Sequence, residues 1–105
     1  MNEPTEAQRR EFWEWCGLLH YVSKPKISYG DNHWITPDGT ILKATPPIDL
    51  NNLFEYAVPI TIKIIMAEQE CGEYSAYKIL FKKWLQTGYD AIALFWVLWQ
   101  VKEKG

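Results

Sequence analysis

Between Ala91 and Val101 the chain carries Ile92, Leu94, Phe95, Trp96, Val97, Leu98, Trp99 and Val101. Gly88-Tyr89-Asp90 precedes them, with Asp90 in position to cap a helix running to about Lys102. On a helix these apolar residues cover nearly the whole circumference, and such a helix must be buried on more than one side. A chain of 105 residues has few elements of its own to provide that cover. Either a sheet and another helix sandwich this helix, or a second subunit covers its outer face. The subunit contact is the expectation, because Trp13 and Trp15 also need cover. Trp13, Trp15, Trp96 and Trp99 are therefore the expected interface residues.

The other elements follow from local chemistry. Thr5 with Gln8 three places later is a capping-box pattern and starts a helix over residues 5 to 16. Phe12, Cys16 and Leu19 follow helical spacing, and Gly17 supplies a left-handed stop. Residues 20 to 33, with Pro25, Gly30, Asp31 and Asn32, are rich in turn formers. Thr36-Pro37-Asp38-Gly39 then predicts a hairpin between Trp34-Ile35 and Thr40-Ile41-Leu42. Asp49 caps a second helix, on which Leu50, Leu53, Phe54 and Ala57 form one apolar stripe, and Pro59 ends or kinks it. Ile60, Ile62, Ile64 and Met66 alternate with Thr61, Lys63 and Ala67, which favours a strand over residues 60 to 70, although Ala67 to Glu70 would also suit a helix end. Cys71-Gly72-Glu73 turns into a further strand over residues 74 to 84. The expected architecture is a single α+β domain over residues 1–105, a small layered sandwich of three helices and two antiparallel hairpins in the order α-ββ-α-ββ-α.

Composition narrows the function classes. The chain is 48% hydrophobic and 23% charged, a globular balance that argues against disorder. A net charge of −2 lacks the footprint of a duplex-binding protein. Two cysteines make neither a disulfide framework nor a CxxC pair, which fits a reducing cytoplasm. The start MNEPTEAQRR has no signal-type apolar stretch, and the run Ala91 to Trp99 is too short to span a bilayer. A cytoplasmic protein without membrane attachment is the expectation.

Catalytic constellations are sparse. Cys16 and His20 lie four apart, as a thiolate–imidazole pair would, but Gly17 breaks the helix between them and no orienting acid is evident. Cys16, His20, Asp31 and His33 match no ligand spacing that closes a zinc site. Asp38, Asp49 and Asp90 each sit where a turn or cap wants a carboxylate. No phosphate-loop, dinucleotide or nucleophile-elbow motif occurs. The expectation is no enzyme, no metal and no cofactor.

What remains is cations beside rings, in a chain that is 15% aromatic. As a strand, residues 74 to 84 would place Lys78 and Lys82 on one face with Tyr74 and Trp84, and Lys63 on the neighbouring strand. An ammonium suits a phosphate and a ring face suits a base, so Lys63, Lys78, Lys82, Tyr74, Tyr77 and Trp84 are candidate nucleotide contacts. The same residues would equally serve as a solvated outer face that protects a strand.

Two stretches, WITPDG (Trp34 to Gly39) with PPIDLNNLFEYAVP (Pro46 to Pro59), and AIALFW (Ala91 to Trp96), resemble a group of short phage and environmental proteins. The layout is similar to the phage ABA-sandwich family, in which helices flank a small antiparallel sheet. The resemblance implies that fold and a viral setting. The family brings no assigned chemistry, but small non-enzymatic phage proteins often act against host defence. By that analogy the expected role is sequestering a nucleotide immune signal in the pocket of a homo-oligomer, or binding a host defence protein. A small hydrolase built on Cys16, His20 or His33 ranks below both.

Overall fold

The computed structural model describes residues 2–22 and 32–104. They form two compact units, Pro4–Pro47 and Ile48–Gly105 with Met1–Glu3. The class is α+β, with helices and a three-stranded antiparallel sheet.

In the first unit, helix α1 (Glu6–Trp15) starts as its cap predicts: Gln8 N–H donates to Thr5 Oγ1, and the Gln8 side chain accepts from the Thr5 N–H. Gly17, at φ +95°, ends it; the Gly17 and Leu18 N–H groups donate to the Glu14 and Trp13 carbonyls. The chain then enters β1 (Leu19–Val22), so Leu19 is a strand residue and is exposed, not part of the helical stripe. Strands β2 (Asn32–Ile35) and β3 (Ile41–Leu42) complete a sheet of order β1-β2-β3. His20 pairs with Trp34, and Trp34 with Leu42. The β2–β3 hairpin turns at Thr36-Pro37-Asp38-Gly39 as predicted, with Gly39 at φ +92°. Residues 20 to 22 are strand where turns were expected, while Pro25, Gly30 and Asp31 lie outside the described residues.

Phe12, Trp13, Cys16, Leu18 and Trp34 are buried. Trp13 is fully enclosed, and its indole N–H donates to the Pro46 carbonyl at 2.8 Å. The expectation that it stands open for a partner is thereby corrected: its ring and its donor are both used inside the chain. Trp15 is half-buried and lies against Phe12.

The described residues of the second unit form helices only. Helical run α2 comprises Leu50–Asn52, a π turn at Leu53–Ala57, and Val58–Gln69. Asp49 Oδ1 accepts from the Asn52 N–H at 2.8 Å, the predicted cap. Helix α3 covers Glu73–Thr87 and α4 covers Ala91–Lys104, with Asp90 Oδ1 accepting from the Ala93 N–H.

The second hairpin does not exist. Residues 60 to 69 belong to α2, which Glu70 caps, and residues 74 to 84 belong to α3. The alternation of Ile60, Ile62, Ile64 and Met66 is real, but Val58, Thr61, Ile62 and Ile65 are the buried set, spaced i, i+3, i+4 and i+7. Burial along that stripe overrides the strand preference of β-branched residues. Pro59 does not end the helix either. It stands at the first turn of the segment that follows the π turn, and Val58 N–H reaches back to the Leu53 carbonyl. A residue without an N–H costs little where the hydrogen-bond pattern changes step.

Helix α4 packs on α3, on the π turn and on the Val58–Gln69 segment of α2. Ala93, Leu94, Phe95, Val97, Leu98 and Val101 are buried, and Ile92, Trp96 and Trp99 are half-buried. Most of the apolar circumference is thus covered within the chain. The Trp96 indole N–H donates to the Asn2 carbonyl at 2.7 Å, and the Lys102 ammonium sits 4.4 Å from the Trp99 ring centre. Among the described residues no helix is long and apolar enough to cross a membrane.

Candidate functional site

The α2–α3 face brings together features that general experience associates with binding sites: a π turn, a group of rings and an open concavity. The π turn adds a residue to the helical turn at Leu53–Ala57, and such turns recur at functional positions. Thr61, fully buried, sends its hydroxyl to the Ala57 carbonyl at 2.9 Å and so secures the end of that turn. Phe54, carried by the turn and 37% exposed, faces α3, with its ring centre 6.1 Å from that of Phe81 and 5.9 Å from that of Trp84. Tyr77 extends the group, 5.6 Å from Phe81.

Helical spacing explains the alignment on α3. Glu73, Tyr77, Phe81 and Trp84 follow i, i+4, i+8 and i+11 and make one strip. Tyr74, Lys78 and Lys82, spaced i, i+4 and i+8, make the adjacent strip, and all three are exposed. The Lys78 ammonium lies 5.7 Å from the Tyr74 ring centre. The grouping of Tyr74, Lys78 and Lys82 therefore survives the change from strand to helix, whereas Trp84 moves to the other strip. Trp84 also has a structural duty, since its indole N–H donates to the Asp90 carbonyl at 3.0 Å.

Beside the rings, Pro59, Ile62, Lys63, Met66, Glu73 and Tyr77 line an open concavity of about 300 Å³. Two of the six sequence candidates, Lys63 and Tyr77, meet there. The sequence had assigned Glu73 to a turn and passed over Pro59, Ile62 and Met66; the signal that finds them is the i, i+3, i+4 spacing of Pro59, Ile62, Lys63 and Met66 on one helix face. A second, smaller cavity of about 50 Å³ opens among α2, α3 and α4, with Ile65, Ile79, Leu80, Val97 and Val101 at its apolar base.

The catalytic candidates do not assemble. Cys16 is fully enclosed at the end of α1, and burial pushes its thiol up, far from the thiolate a nucleophile needs. His20 stands on β1 with its ring stacked on Trp34 at 4.4 Å. Asp38 is tied into its turn: the Thr36 hydroxyl and the Thr40 N–H both donate to it, and these bonds hold its carboxyl below the usual value. Asp49 and Asp90 are helix caps. Among the described residues no three His, Cys, Asp or Glu side chains gather as metal ligands, and Asp31 lies outside those residues. Comparisons with protein-family models, curated proteins and solved structures found no match.

Proposed function

We propose that the chain is a non-enzymatic binding protein that holds a small nucleotide-derived ligand on its α2–α3 face. The observation that carries this reading is the meeting of Lys63 and Tyr77 in one concavity with an apolar floor of Ile62 and Met66. The ammonium suits a phosphate, the phenol ring offers a stacking face, and the volume falls at the low end for small-molecule sites. Lys78 and Lys82 on the neighbouring strip add positive potential beside it. Burial of the Cys16 thiol weighs against the hydrolase alternative. In the viral setting that the resemblance implies, the role is sequestration of an immune signal by a homo-oligomer in the host cytoplasm.

A thermal-shift screen against mononucleotides, cyclic dinucleotides, cyclic oligonucleotides and ADP-ribose derivatives tests the reading. A ligand at 100 times its Kd adds about 2.7 kcal/mol, which raises the melting temperature by roughly 10–20 °C for a domain of this size. The nucleotide should be recovered intact after denaturation, and Lys63→Gln should weaken binding about tenfold. A flat screen overturns the proposal.

A second reading has its own support. Phe54 and Leu85 are exposed beside the ring group, at 37% and 55%, as anchors for a protein partner would be. A flat nucleotide screen together with a stoichiometric host protein, lost on Phe54→Ala, would favour a protein-interaction inhibitor.

A further inference from the structure

We infer that the α2–α3 concavity is selective for guanine among nucleotide bases, with Glu73 as the residue that reads the base. The inference rests on the nucleotide-binding reading above and takes it one step further, because the concavity holds an acid as well as a cation.

Glu73 opens α3 and lines the same concavity as Lys63, which α2 supplies, and no ion pair joins the two among the described residues' bridges. Both side chains are exposed to incoming ligand. A carboxylate in a site for an anionic ligand is at first sight a defect, since it repels phosphate. It becomes useful if the phosphate goes to Lys63 and the base goes to Glu73.

An ionised carboxylate is acceptor only, with two oxygens side by side. The base that complements it must offer two adjacent donors. Guanine does so, through N1–H and the 2-amino group. Adenine sets its 6-amino donor beside the N1 acceptor, cytosine sets its 4-amino donor beside the N3 acceptor, and uracil has one N–H between two carbonyls. Each of these points an acceptor at the carboxylate, and a site with an unmatched polar group rejects the wrong ligand strongly. Hypoxanthine keeps N1–H and lacks the amino group, so it is the intermediate case.

The other lining residues fit the same occupant. Tyr77 lies one helical turn beyond Glu73 on the same strip and offers its ring as a stacking face, while Ile62, Met66 and Pro59 supply apolar surface. The concavity, about 300 Å³ and open to solvent, has room for one nucleoside unit. The ligand class is therefore a guanine mononucleotide, or a larger signal that presents one guanine to each chain.

The experiment is calorimetric titration of the whole chain with GMP, IMP and AMP, repeated on Glu73→Gln and Lys63→Gln. The expected order is GMP, then IMP, then AMP, with about tenfold or more between the first and the last. Glu73→Gln should remove most of that discrimination and leave AMP binding unchanged or tighter. Lys63→Gln should weaken all three nucleotides by a similar factor and keep their order. Equal binding of GMP and AMP, still weakened by Lys63→Gln, overturns the guanine assignment and leaves the nucleotide reading standing. No binding of any nucleotide overturns both. Circular dichroism of the exposed-site variants verifies that the helices persist, and the GMP, IMP and AMP comparison on the unaltered chain decides the matter without any variant.

Discussion

The indole N–H of Trp13 donates to the carbonyl of Pro46 across a sequence separation of 33 residues, at 2.8 Å and out of contact with water. One bond thus fastens α1 to the segment that leaves β3. The ring is fully buried beside Phe12, with centroids 5.1 Å apart. Trp13→Phe keeps an aromatic ring but leaves the Pro46 carbonyl without this donor and a void where the larger ring stood. The expected cost is about 2–4 kcal/mol, measured as a lower urea midpoint. A loss under about 0.5 kcal/mol would show that water or a neighbour replaces the indole.

Gly88 connects α3 to α4 where a side chain has no room. A Cβ there would come within 2.9 Å of the Ala93 Cβ, and Ala93 is itself buried. Gly88→Ala should destabilise by about 1–3 kcal/mol through overpacking. Thermal melts of Gly88→Ala and of the double variant with Ala93→Gly check the cause: the second change should restore part of the loss.

Glu70 is the opposite case. It closes the Val58–Gln69 segment at φ 49° and ψ 48°, a left-handed conformation that favours glycine. Glu70→Gly should raise stability by about 0.5–1 kcal/mol, read as a higher denaturant midpoint at unchanged slope.

Asp38 gives a pH signature. Hydrogen bonds from the Thr36 hydroxyl and the Thr40 N–H lower its carboxyl below the ordinary 3.8. Its contribution is complete above that ordinary value and is lost as pH falls through the lower folded value. The melting temperature of the native chain should therefore drop below about pH 4 more steeply than that of Asp38→Asn. Parallel slopes in that window would assign the acid sensitivity elsewhere. Glu6 acts in the same direction: slight burial works to raise it, and hydrogen bonds from Arg9 and Thr45 with the charges of Arg9 and Arg10 outweigh that.

What could be foreseen from the sequence was chemistry that acts within four residues. The Thr5–Gln8 box, the caps at Asp49 and Asp90, the stop at Gly17 and the turn at Gly39 are each set by a side chain bonding to nearby backbone or by a φ that glycine adopts freely. The misreading of residues 60 to 70 and 74 to 84 as strands came from a competition between two periods. Ile60, Ile62 and Ile64 satisfy a strand, while Val58, Thr61, Ile62 and Ile65 satisfy a helix, and packing against α3 and α4 decided it. Ala67 to Glu70 did suit a helix end, and the helix stops there, but with Glu70 in a left-handed conformation that a glutamate does not announce. At the site, Lys63 and Tyr77 were found for their chemistry. Glu73 was missed because its place depends on the phase of α3, which only the three-dimensional packing sets.

The π turn gives the α2 helix two phases in one continuous rod. Upstream of it, Leu50 to Asn52 follow one angular frame; downstream, Pro59, Ile62, Lys63 and Met66 follow another, offset by the additional residue. Each residue of an α-helix advances the azimuth by about 100°, so a single-residue deletion between Leu53 and Ala57 would swing the whole downstream face by that amount relative to the cap. Descendants of this chain could thus re-aim the concavity through a change of length alone, every side chain that lines it being kept.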